Sequence, residues 1–125
     1  MINLVHHILF ILLLAATPTP LPPPQDGVNG CPAPIVILFG DQSLACEVSW
    51  CESRWQPDAH NASDASGLFQ IIPYWHLQVL YRLYAEGLVN NLDYFDPWTN
   101  ARWAYEVSGE GADWSAWKAS RHCWG

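Results

Sequence analysis

Two short runs carry the residues whose types and spacing can do chemistry: Cys51-Glu52-Ser53-Arg54-Trp55 and Gly67-Leu68-Phe69-Gln70-Ile71. The first sets a lone carboxylate among aromatic and thiol side chains. Glu52 falls in the last turn of an expected helix, where the macrodipole is negative and disfavours a further negative charge. Trp55, three residues on, is expected on the same face, where its ring would exclude water. Both effects penalise the ionised carboxyl and raise its pKa. A carboxyl held protonated near neutral pH can donate a proton to a leaving oxygen; the plain alternative is a solvated helix glutamate. In the second run Gln70 interrupts an apolar stretch that continues to Ile72. An amide there needs a partner. A ligand hydroxyl or acetamido group, or the Glu52 carboxyl, would serve; core packing with an incidental amide is the plain alternative.

The elements that must position these residues read as helical. Asp41-Gln42-Ser43 offers N-caps for a helix running to about Arg54 or Trp55. Leu44, Val48, Cys51 and Trp55 follow helical spacing and predict its buried face, and Pro57 stops it. Residues 56–66 are polar and read as a loop between the two runs. Pro73 starts a second helix through Leu77, Leu80, Tyr81 and Tyr84 to a stop at Gly87. Asp96-Pro97 repeats the start signal and Gly109 the stop, with Asn100, Trp103, Ala104 and Val107 between. A last short helix is expected around Trp114 and Trp117, before Cys123. Ile35 to Phe39 fits either a helical turn or a strand.

Residues Val5 to Ala16 are almost unbroken apolar, too short a run to span a bilayer comfortably. They fit the core of a signal peptide over residues 1–16. The first Lys or Arg of the chain is Arg54, so the n-region has only His6 and His7, at the start of that run; an uncleaved membrane anchor is the alternative. Residues 17–30 are Pro-rich and read as an extended linker. The folded domain is then 31–125, small enough to need staples. Four cysteines, Cys31, Cys46, Cys51 and Cys123, supply two disulfides in a secreted context. Cys46 and Cys51 point to different sides of one helix and should not pair with each other. Two connectivities remain, of which Cys31–Cys46 with Cys51–Cys123 is the one expected. The net charge of −7 argues against a nucleic-acid partner, which needs a basic footprint. Eight Trp and five Tyr point instead to recognition by stacking, beyond what so small a core requires. His60, His76 and His122 have no metal-ligand spacing and read as loop or surface residues. No metal or cofactor is implied.

The two runs, in order and spacing, resemble the goose-type lysozyme and soluble lytic transglycosylase family. Its members carry Glu-Ser at a helix end, then Gly-Leu-(Met/Phe)-Gln-Ile, then an Asn-led helix. Cys51-Glu52-Ser53, Gln56-Pro57-Asp58-Ala59, Gly67 to Ile71, and Asp96-Pro97 with Asn100 and Tyr105 correspond in order, covering roughly Phe39 to Trp124. The resemblance implies a small, mainly α, lysozyme-like domain with at most a minor hairpin. It implies cleavage of the β-1,4 bond between N-acetylmuramic acid and N-acetylglucosamine in peptidoglycan, with Glu52 as general acid and base. Ser53 and Gln70 would help hold the muramic acid residue, and Tyr105 would be the active-site tyrosine. The family's Asn-x-Gly after that tyrosine is replaced here by Glu106-Val107. Trp55 and Trp75 complete the expected substrate-binding set. Lysozyme-type hydrolysis usually needs a second carboxylate, for which Asp58 and Asp64 are the nearby candidates. Lytic transglycosylases do without one, because the substrate's own N-acetyl or 6-hydroxyl group attacks. A monomer, secreted or held at the cell envelope, is expected. The reading from a different class is a non-catalytic glycan-binding module on the same fold.

Overall fold

The computed structural model describes residues 30–40 and 43–125, so the expected signal segment and almost all of the Pro-rich linker lie outside the described residues. Among the described residues five α-helices follow in order: α1 Ala33–Phe39, α2 Ala45–Ser53, α3 Pro73–Ala85, α4 Pro97–Val107 and α5 Arg121–Trp124, with a 3-10 helix Ser115–Ser120 before the last. Among the described residues the only β pairing is two isolated antiparallel bridges, His60 with Ser66 and Ser66 with Ile71. The domain is thus mainly α with one hairpin-like turn.

Local chemistry sets the helix boundaries. Pro34 in the first turn starts α1, which resolves the Ile35–Phe39 run as helix. The Asp96 carboxylate accepts from the Trp98 and Thr99 amides at 3.0 Å, an N-cap that pairs with Pro97 at the first helical position. Both α3 and α4 end in Schellman motifs: Leu88 N–H donates to Leu83 O and Gly87 N–H to Tyr84 O, and Glu110 and Gly109 repeat this on Tyr105 and Glu106.

The face of α2 differs from expectation. Leu44 precedes the helix and is exposed, while Ala45, Cys46, Val48, Ser49 and Trp50 are buried. Nor does the helix reach Trp55. It ends at Ser53, and Arg54 and Trp55 both adopt left-handed backbone (φ 56° and 60°). The small side chains Ala45, Cys46 and Ser49 define the packed side of α2, a signal that hydrophobic spacing alone underweights.

Helix α1 packs most extensively on α4, and α3 also lies on α4. The core centres on Trp103, Phe69, Ile35, Leu68, Leu80 and Leu83, all essentially inaccessible. Trp103 Nε1 donates to His76 O at 3.0 Å and ties α4 to α3. The disulfides are Cys31–Cys46, which fastens the start of α1 to α2, and Cys51–Cys123, which fastens the end of α2 to α5. No described helix is long and apolar enough to cross a membrane.

Candidate active site

Glu52 stands in the last turn of α2, half-buried. Its Oε2 accepts from the Ser120 hydroxyl at 2.5 Å, a contact across 68 residues of sequence. Burial raises the pKa of the carboxyl, and the Ser120 hydrogen bond partly opposes this. The direction is the one the sequence suggested, but the cover differs. Trp55 lies beyond the end of the helix that carries Glu52. The left-handed turn swings its indole into the core against Trp50 (ring centroids 4.9 Å), where Nε1 donates to Cys46 O at 3.0 Å and Ser49 Oγ at 3.1 Å. The segment against Glu52 is the C-terminal one, held there by the neighbouring Cys51–Cys123 bond.

The turn from Gly67 to Ile71 is fixed from three sides. Ser53 Oγ, itself buried, donates to Leu68 O at 2.7 Å and so links the turn to the residue after Glu52. Asn100 is inaccessible; its Oδ1 accepts from Phe69 N at 2.9 Å and its Nδ2 donates to Ser66 O and Tyr94 O, each at 2.9 Å. Trp117 Nε1 donates to Phe69 O at 2.7 Å. Ser66 and Ile71 exchange both backbone hydrogen bonds across the turn. Gly67, at φ 79°, must be glycine on two counts: the left-handed backbone, and a Cβ that would collide with the Asn100 side chain and come within 2.9 Å of Tyr94 O.

Gln70 sits at the apex with φ 49°. Its amide donates to Ala59 O (2.9 Å) and Gly67 O (3.0 Å), which fixes the side chain without help from Glu52. Gln70 lines a cavity of about 200 Å³ with Ile71, Ile72, Trp75, His76, Ala116 and Trp117. Trp75 is 70 % exposed and stands edge-on to Tyr74. His76 is therefore neither a loop nor a plain surface residue: it is half-buried on α3, and burial lowers its pKa, favouring the neutral imidazole. Glu52 is not among the residues lining this cavity; Trp117, which is, accepts from Ser120 Oγ through its carbonyl at 3.1 Å. A larger groove of about 610 Å³ runs alongside, lined by residues including His60, Asp64, Tyr74 and Tyr94. It shares Ile72 with the smaller cavity.

Residues 39–119 match the family model described as a lysozyme-like domain. The chain belongs to this family. No curated protein and no solved structure shows significant similarity to it. The lysozyme-like match spans both runs, the turn, Asn100 and Trp117, and stops one residue short of Ser120.

The other expected site residues fall in different places. Tyr105 packs edge-on against Phe39 (5.2 Å), with the Arg102 guanidinium 5.4 Å from its ring centre. Neither contact involves Glu52 or Gln70. Asp58 is exposed, and Asp64 pairs with His60 at 3.3 Å. The loop itself is shaped by Asn61, whose Oδ1 accepts from Ser63 N and Ala65 N. Among the described residues no group of three or more His, Cys, Asp or Glu could hold a metal ion. Sequence reasoning missed Ser120 and underrated His76. Ser120 is an ordinary serine in a polar run, and no local signal marks it.

Proposed function

We propose that this lysozyme-like domain cleaves the β-1,4 glycosidic bond between N-acetylmuramic acid and N-acetylglucosamine of peptidoglycan, with Glu52 as general acid and then base. The observation that carries this reading is the Glu52 carboxyl, half-buried at the end of a helix that Ser53 ties to the Gly67–Ile71 turn, and raised in pKa by that burial. A protonated Glu52 gives its proton to the leaving oxygen as the C1–O bond breaks. The carboxylate then takes the proton of the substrate's 6-hydroxyl as that oxygen bonds to C1, leaving a 1,6-anhydro end. The route needs no second protein acid. It fits a Glu52 whose pKa is set by burial and Ser120, and an Asp64 engaged by His60.

Gln70 and Trp75 would meet the glycan, Gln70 from the turn and Trp75 by stacking from α3. Ser53 acts from beneath, tying the turn to the helix that bears Glu52. A secreted or envelope-held protein is supported by the two disulfides, which persist in oxidising compartments. The test is mass spectrometry of soluble products from peptidoglycan treated with the protein or with Glu52→Gln. Products one water lighter than reducing muropeptides, absent with the variant, are expected. Reducing ends would make the enzyme a hydrolase and redirect attention to Asp58 and Asp64. A folded protein that binds the wall and releases nothing would leave a non-catalytic module.

A further inference from the structure

We propose that Ser120 is a positioning residue for Glu52, its hydroxyl oriented by the Trp124 indole, so that the segment 120–124 completes the catalytic centre. This rests on the reading of Glu52 as the acid.

The donor inventory fixes the direction of the bonds. Trp124 Nε1 can only donate, and it lies 2.9 Å from Ser120 Oγ, so it occupies a lone pair of that oxygen. The single hydroxyl proton is then directed outward. Two acceptors compete for it: Glu52 Oε2 at 2.5 Å and the Trp117 carbonyl at 3.1 Å. The carboxylate is nearer and charged, and charge-assisted bonds are shorter and stronger. The result is a directed chain, Trp124 N–H to Ser120 O–H to Glu52, in which each bond polarises the next. Its placement is enforced covalently: Cys51 adjoins Glu52, and Cys123 lies between Ser120 and Trp124, so one disulfide clamps both ends of the relay.

The chemistry gives this arrangement a purpose. Glu52 must release a proton in one half of the reaction and recover one in the other. Burial favours the acid form alone. A hydroxyl donor at Oε2 stabilises the carboxylate that the first half produces.

The test uses the full chain with S120A, S120T and W124F. The Glu52 side-chain carboxyl is followed by 13C NMR titration, and kcat and KM are followed on peptidoglycan against pH. In S120A the Glu52 titration and the alkaline limb of kcat move together to higher pH. kcat falls roughly tenfold, the size expected for one hydrogen bond to a charged group, and KM stays within about twofold. S120T restores the wild-type profile, and W124F shifts it in the same direction but less. A titration and limb left where the wild type has them, in S120A or, should that variant not fold, in W124F, overturn the proposal. A wild-type protein that releases no glycan products sinks the reading of Glu52 as the acid instead. The NMR titration still decides whether Ser120 and Trp124 set its ionisation.

Discussion

Replacing Asn100 by aspartate changes one atom of the side chain and should cost more than removing the side chain's polar group altogether. The orientation of the amide is forced, because Phe69 N–H can only donate and the Ser66 and Tyr94 carbonyls can only accept. In N100A, Phe69 N–H and Tyr94 O lose their partner, whereas Ser66 O keeps Ile71 N–H at 3.1 Å. Two orphaned buried groups at about 1–3 kcal/mol each put the loss at roughly 3–4 kcal/mol. In N100D one oxygen still accepts from Phe69 N–H, but the other faces two carbonyls at the 2.9 Å separations that the amide now bridges. An ionised carboxylate there is buried without a counter-charge, and the expected loss at pH 7 is about 4–5 kcal/mol. Protonation supplies a donor for one of those carbonyls and reduces the loss to about 1–2 kcal/mol. The introduced carboxyl therefore has a folded-state pKa above its unfolded value of about 3.9. Its favourable contribution is complete below the unfolded value and disappears as pH rises through the folded one. Urea unfolding of wild type, N100A and N100D, disulfides intact, at pH 4 and pH 7 measures this. N100D should be the more stable variant at pH 4 and no better than N100A at pH 7. An N100D as stable as wild type at pH 7, or a gap between the variants that ignores pH, would refute the assigned network.

Three further outcomes follow from the same geometry. Glu52 has a raised folded-state pKa through burial, so its ionisation opposes folding: the stability it gives is present below its unfolded pKa and is lost as pH rises. E52Q should accordingly melt above wild type at pH 7, with the difference closing on acidification below the ordinary glutamate range; a variant that melts below wild type at pH 7 contradicts the burial argument. The Cys51–Cys123 bond closes a separation of 72 residues and Cys31–Cys46 one of 15, so the chain-entropy model puts their contributions at about 4.4 and 3 kcal/mol. Removing the first pair should also abolish glycan release at temperatures where the protein remains folded by circular dichroism, while the C31A/C46A protein keeps its activity under the same criterion. Trp75, largely exposed, carries little of the core, so W75A should leave the melting temperature within about 2 °C. It should raise KM for glycan about tenfold through lost stacking, and an unchanged KM would remove Trp75 from the binding surface.

The starts and stops of α3 and α4 were legible because capping is a local matter. Pro73, Asp96-Pro97, Gly87 and Gly109 each act within one turn of their own position, and each stands where the sequence puts it. The face of α2 was less legible. Its packed side is built from Ala45, Cys46 and Ser49, whose small size and, for Ser49, a hydroxyl returned to Ala45 O at 2.9 Å hide them from a hydrophobic count. Trp55 was read on a helix that in fact ends two residues earlier. A left-handed pair of non-glycine residues, Arg54 and Trp55, has no compositional signature, yet it turns an expected cover for the acid into core. Gln70 was rightly seen to need partners, but they are the Ala59 and Gly67 carbonyls, reached through another left-handed residue. The partner of Glu52 was invisible for a different reason. Ser120 lies 68 residues away and meets it where the Cys51–Cys123 bond fastens the two segments, and a pairing across the chain is a property of the fold.

Two kinds of residue support the candidate site, and they differ in what they can tolerate. Ser53, Asn100 and Trp117 hold the turn by buried hydrogen bonds to backbone groups, so any loss there is first a loss of stability. Ser120 and Trp124 bond side chain to side chain at a partly exposed site, apart from the backbone groups that hold the turn. Changes there should therefore alter ionisation with little effect on folding. On the proposed reading, the turn is held by groups within residues 53–117 and Glu52 is tuned by a separate segment that one disulfide fastens. That division predicts that substitutions at the first set lower the melting temperature in proportion to the activity they remove. Substitutions at the second set displace the pH profile at nearly constant melting temperature.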